Sequence, residues 1–190
     1  EGLVGSEMCI RDSFTKDYKV PVIGGDLSKG KECSVSVGVC GEVKTKYFLS
    51  RSGAKEGDSI YVSGILGLSK FGLEIVKSKK KNLSSKEKRY KNKYLKPKVN
   101  LSLGLELRKT ANSCIDISDG LIGDLGHICA QSKVGADIDI DLIPYEGTYI
   151  DALTWGDDYE LCFTVPQSKI KKVSNICLLY TSDAADEVRR

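Results

Sequence analysis

Residues 113–118, SCIDIS, alternate apolar and polar, while Leu121, Ile122, Leu125, Ile128 and Cys129 recur at helical spacing. The stretch CIDISDGLIGDLG at 114–126 therefore predicts strand, turn, helix, with Gly120 in the turn and Ser118 or Asp119 as the helix N-cap. Alternation also predicts strands in VPVIGGDLSKG at 20–30, SVSVGVCGEV at 34–43, GDSIYVSG at 57–64, ADIDIDLIP at 136–144 and DDYELCFTV at 157–165. SGILGLSKFGLEIVKS starts with turn glycines, Gly64 and Gly67, and runs into an amphipathic helix. VNLSLGLEL, from Val99, fits both periods: it alternates throughout, yet Pro97 suits a first helical turn and Leu101, Leu105 and Arg108 share a helical face. Strands alternating with helices make an α+β layered architecture.

Three aspartates, Asp116, Asp119 and Asp124, crowd the turn of the opening stretch. Carboxylates so close repel unless a cation or donor groups hold them, and Mg²⁺ takes one or two carboxylates together with phosphate oxygens. Either the turn is a metal and phosphate site, or Asp119 caps the helix while Asp116 and Asp124 face water. Asp124, more than a helical turn beyond the cap, is expected to matter less than Asp116. Gly24 and Gly25 precede Asp26 and would permit close backbone approach or positive φ. Arg51 is a candidate phosphate contact or a surface arginine, and His127, the single histidine, is read as a structural residue.

Composition adds an asymmetry to this pattern. The net charge of +3 conceals a run at 77–98 that holds 11 of the 29 basic residues and one acid, Glu87, leaving 18 basic against 25 acidic residues elsewhere. Tyr90 and Tyr94 lie inside that run, but no RNA-binding motif accompanies it, so it reads as a solvated helix or loop rather than a nucleic-acid surface. A hydrophobic content of 41% suffices for a core, and no apolar run approaches the roughly 18 residues of a membrane span. Seven cysteines stand singly, without a C-x-x-C pair, as reduced thiols of a cytoplasmic protein do. SEMCIRDS at 6–13 and LLYTSDAADE at 178–187 resemble peptides translated from sequencing-adapter DNA, so 1–13 and 177–190 are set apart, and with them Asp183 and Asp186.

Five segments, IGGDLSKG, RSGAKEGDSIYVSG, YLKPKVNLSLGLEL, IDISDGLIGDLGHI and WGDDYELCFTV, occur in an order that resembles the thiamine-monophosphate kinases, members of the aminoimidazole ribonucleotide synthetase-like superfamily. IDISDGL with DDYELCF points to the kinases; GGD and KEGD fit several relatives. The resemblance covers about 14–176 and implies the last strands of an N-terminal ATP-binding domain at 14–50 and most of a C-terminal α+β domain at 51–176. It also favours a helix for 98–110.

The activity implied is ATP-dependent phosphorylation of thiamine monophosphate to thiamine diphosphate, in a homodimer with several Mg²⁺ ions. Metal positions fall on Asp26, Asp116 and Asp119; positions approaching ATP fall on Gly25, Asp26, Arg51 and Ser118; Asp157 matches a substrate contact. Other enzymes of the superfamily, or a nucleic-acid module using the lysine run, are the alternatives. Leu27, Ser28 and Lys29 depart from the threonines and arginine usual after GGD, and Trp155 replaces a glycine. The family's DDA and TDT metal loops and its C-terminal aromatic contact are missing, which marks an internal fragment expected to be inactive alone.

Overall fold

The computed structural model describes residues 15–174 apart from positions 17, 27 and 33, so Leu27, Cys33, Cys9, Cys177, Asp183 and Asp186 lie outside the described residues. Two compact units divide the chain, 1–41 and 42–190.

The strands expected at 20–30 and 34–43, which fall in the first unit up to Gly41, do not form among the described residues. Ile23 is 88% exposed and Val37 82%, and Val35 and Val39 are exposed with them. Alternation describes a pleated surface, but a strand exists only where a neighbour takes its N–H and C=O groups. Gly24 and Gly25 likewise have open space around them and no positive φ, so neither supplies the close approach expected of it.

The second unit is built on a three-stranded antiparallel sheet of β1 (Ser59–Val62), β2 (Ser113–Asp116) and β3 (Leu161–Val165), in the order β1-β3-β2. Tyr61 and Cys114 flank Phe163, while Val62 and Ile115 flank Cys162. Among the described residues, helices α1 (Leu68–Ser78), α2 (Ser85–Leu95), α3 (Leu101–Leu107), α4 (Leu121–Ser132) and α5 (Tyr149–Thr154) pack in this unit. Apolar side chains cover both faces of the sheet. Cys162, Ile115 and Ile117 cluster with Leu121, Leu125 and Ile128 of α4. Phe163 and Val165, on the opposite side, cluster with Leu103 and Leu107 of α3 and with Val173. This is the α+β architecture expected.

Within the segment from Val99, Leu101–Leu107 settles as a helix, with Leu103 and Leu107, one turn apart, buried while Leu101 and Leu105 are exposed. The expected strand at 136–144 is instead a short 3-10 turn, Ile140–Leu142, where Asp139 accepts the Asp141 N–H at 3.1 Å. The neighbouring chain pairs only at a parallel bridge, Leu66 with Tyr145. Residues 85–95 of the lysine run fold as α2, started by a capping box in which Ser84 and Glu87 each bond the other's backbone N–H. Its Tyr90 is 7% exposed and stacks on Phe71 of α1 with ring centroids 5.1 Å apart.

Gly72 makes that helix pair possible, since a Cβ there would lie 2.4 Å from the Tyr90 carbonyl oxygen and 2.5 Å from Tyr94 Cβ. Gly72→Ala is expected to lower unfolding free energy by about 1–3 kcal/mol, because helix backbones cannot yield without repacking. Equal denaturation midpoints for the variant and the parent chain would contradict this contact.

Candidate active site

β2 ends at Asp116, and the chain then runs through Ile117, Ser118, Asp119 and Gly120 into α4. Neither Ser118 nor Asp119 is the N-cap; that position belongs to Gly120, at φ 101 and ψ 150, with no side-chain cap. Asp124, expected to face water, is 2% exposed and reaches back from the first turn of α4. One of its oxygens accepts the Ser118 N–H at 2.9 Å and the Asp119 N–H at 3.0 Å. The glycine is required: besides its positive φ, a Cβ on Gly120 would approach the Thr154 carbonyl carbon to 2.8 Å.

A second loop meets this turn. The Asp157 N–H donates to the Ser118 carbonyl at 2.9 Å, and a Cβ on Gly156 would come within 2.0 Å of the same oxygen. Tyr159 donates its N–H to the Ile117 carbonyl at 2.8 Å, and Ile117 donates to the Glu160 carbonyl at 2.7 Å. Two residues thus bond one, as at a β-bulge, a device that re-aims side chains beside functional sites. Asp157 and Tyr159 both have positive φ, 63° and 50°, a conformation that non-glycine residues hold only where surroundings enforce it.

Asp158, between them, is fully buried. It accepts the Gly67 N–H at 2.7 Å and the Ser69 N–H at 3.2 Å, so it caps α1, whose own N-cap is a glycine. Burial pushes its carboxyl above the usual range, against those two N–H bonds and the charge of Lys93. Glu160 is held by an ion pair to Lys93 of α2 and by the Asn100 amide at 3.1 Å. The segment therefore alternates: Asp158 and Glu160 tie it down, while Asp157 and Tyr159 are directed to the Ser118 turn.

Asp116 and Asp119 are exposed, and no salt bridge among the described residues reaches either. Tyr159 donates its hydroxyl to Asp157 at 3.2 Å. Burial first, then the charge and hydrogen bond of Asp157 and the charges of Asp116 and Asp119, pushes its phenol above the ordinary tyrosine value. Asp116 also lines an open cavity of about 760 Å³ with Arg51, Cys114 and Leu161. Arg51 is itself exposed, its loop tied to α4 through Ser132, which donates to the Arg51 carbonyl at 3.1 Å.

Second-unit residues named from the sequence thus gather on adjoining elements: Arg51 with Asp116 around the cavity, and Asp116, Ser118, Asp119 and Asp157 where the two loops meet. Gly25 and Asp26 lie in the first unit, where Asp26 accepts the Ser28 hydroxyl at 2.9 Å. His127 is exposed rather than a packed structural residue. Sequence reasoning missed Asp124, Asp158 and Glu160. For Asp158 a signal existed, since a helix that starts at Gly67 must borrow a cap from elsewhere.

Asp116 and Asp119 supply the hard oxygen donors that Mg²⁺ prefers. Among the described residues, however, no group of three or more Asp, Glu, His or Cys side chains is arranged to hold a metal ion. The donor chemistry fits, with further oxygens required from a phosphate or from other residues.

A family model for AIR synthase related protein, C-terminal domain, matches residues 55–186, more than half of the chain. The chain belongs to the AIR synthase related protein family. The matched span continues past 176, the limit set from the sequence. Within this family it is similar to the thiamine-monophosphate kinase of Buchnera aphidicola subsp. Schizaphis graminum, 43% identical over 169 residues, 83% of this chain and 52% of that protein. The solved thiamine-monophosphate kinase of Stenotrophomonas maltophilia K279a is 34% identical, with a TM-score of 0.65 over 70% of this chain and 47% of that one. AaThiL complexed with AMPPCP and TMP is 33% identical, with a TM-score of 0.61 over 64% and 43% of the two chains. The chain spans about half the length of the curated relatives it matches.

Asp158→Ala is expected to remove the cap of α1 and leave two buried N–H groups unpaired, costing about 1–3 kcal/mol in chemical denaturation. Asp157→Asn, with a more accessible carboxylate, should leave the midpoint within about 0.5 kcal/mol. Equal losses for the two variants would contradict the alternation of this segment.

Proposed function

We propose that this chain is part of an ATP-dependent kinase that phosphorylates thiamine monophosphate to thiamine diphosphate. The observation that carries the reading is the Asp157 N–H bond to the Ser118 carbonyl, which joins the turn bearing the candidate metal and ATP residues to the loop bearing the candidate substrate residue. The relatives named thiamine-monophosphate kinase and the AaThiL structure complexed with AMPPCP and TMP support it.

In this reading Asp116 and Asp119 of the second unit are metal positions for Mg²⁺, Arg51 and Ser118 approach ATP and Asp157 contacts the thiamine phosphate; in the first unit Asp26 is a metal position and Gly25 and Asp26 approach ATP. Bound Mg²⁺ would neutralise charge between two anionic reactants, the main requirement of phosphoryl transfer. The residues of the chain place those anions: Arg51 beside Asp116 supplies positive charge at the cavity, and the backbone bonds between the two loops keep the ATP and acceptor sides in register. Residues 14–50 are the end of an N-terminal ATP-binding domain and 51–176 most of a C-terminal domain, in a cytoplasmic homodimer when complete. No described helix is long and apolar enough to cross a membrane.

The test is to express the chain fused to the upstream half of a full-length relative and measure ATP-dependent formation of thiamine diphosphate. The fusion should turn over and the chain alone should not. Asp116→Asn and Asp119→Asn should each lower turnover by about a hundredfold or more with unchanged thermal melts. Full activity of Asp116→Asn would refute the metal assignment, and transfer to a different acceptor would favour another enzyme of the superfamily.

A further inference from the structure

We propose that Asp124 is a positioning residue that shapes the Ser118–Asp119 turn for its ligands. The inference rests on the reading of that turn as a metal and phosphate site. Asp124 touches none of the proposed reactants, and its 2% exposure excludes a direct solvent-facing role. By accepting both the Ser118 and Asp119 N–H groups, it turns two consecutive peptide donors inward. These would otherwise compete for the carboxylates and phosphate oxygens in front of the turn. Asp116 and Asp119 therefore remain exposed acceptors.

The same turn is held from its other side, because the Ser118 carbonyl accepts the Asp157 N–H. Asp124 and Asp157 thus grip opposite ends of the residue-118 peptide groups, one through its side chain and one through its backbone. Gly120 contributes no cap and Gly156 admits the close approach, so the turn has no side-chain restraint of comparable burial apart from Asp124 among the described residues. Loosening Asp124 should free the metal-side turn and, through Ser118, the substrate-side loop.

Amide hydrogen exchange on the intact chain tests this without any catalytic activity. In Asp124→Ala, the amides of Ser118 and Asp119 should exchange roughly tenfold faster or more, equivalent to about one lost hydrogen bond. Asp157 should follow, while Phe163 and Thr164 in the sheet keep their protection. Asp124→Asn, which retains a carbonyl acceptor, should preserve part of the slow exchange, and it also serves if the alanine variant does not fold: a several-fold rise confined to 118 and 119 is then expected, since a neutral acceptor bonds more weakly than a carboxylate. Unchanged exchange at 118 and 119 in a folded variant, or a uniform rise across the sheet, would overturn the proposal.

Mn²⁺ broadening of the Asp116 and Asp119 resonances is the second readout, and Asp124→Ala should need about tenfold more Mn²⁺ for equal broadening. Equal Mn²⁺ requirement in the two chains would overturn the link to ligand binding. If the parent chain shows no Mn²⁺ broadening, the metal reading fails, and the exchange data alone decide whether Asp124 shapes the turn.

Discussion

A carboxylate shut away from water has to be met by donors, and Asp158, in the loop before β3, meets its donors about ninety residues back along the chain, at the start of α1. Its oxygens take the N–H groups of Gly67 and Ser69, so the loop before β3 is fastened to the start of α1. Once Asp158 points that way, its neighbours must point the other way. Asp157 and Tyr159 accept left-handed backbone angles to do so, and the cost of those angles is offset by the burial and bonding of Asp158 and Glu160.

The turn at Ser118 depends on that fastening. Two glycines, at 120 and 156, bring the backbones of the two loops closer than any side chain would allow. Hydrogen bonds then connect Ile117 and Ser118 to the segment 157–160 in a continuation of the β2–β3 pairing. Core packing of Ile117 and Leu121 lies directly beneath, so the carboxylates in front of the turn stand on a rigid base. Charge repulsion among Asp116, Asp119 and Asp157 is left for a cation or a ligand to relieve.

Much of the second unit was legible in the residue pattern. SCIDIS with its following helix, SIYV and LCFTV have apolar positions that match one face of the sheet or of α4, and the structure uses them so. The pattern failed where alternation had no neighbour to pair with, at 20–30, 34–43 and 136–144. Asp124 and Asp158 were not recognised for a different reason. An aspartate in a polar stretch reads as surface, and only the fold shows the donors that bury it: the adjacent Ser118–Asp119 turn for Asp124 and the distant start of α1 for Asp158. The lysine run shows the converse: its composition suggests a solvated helix, yet Tyr90 is buried against Phe71 and Lys93 is paired with Glu160.

The Tyr159 phenol senses whether Asp116, Asp119 and Asp157 converge, because it bonds Asp157 and the negative charges of all three oppose its ionisation. A pH titration of its ring carbon resonance in the parent chain, and in Asp116→Asn and Asp157→Asn, reads this directly. Burial and the three carboxylates should hold the phenol above the ordinary tyrosine value, and each substitution should bring it down part of the way. A Tyr159 that titrates at the ordinary value and responds to neither substitution would show that the two loops do not bring their carboxylates together.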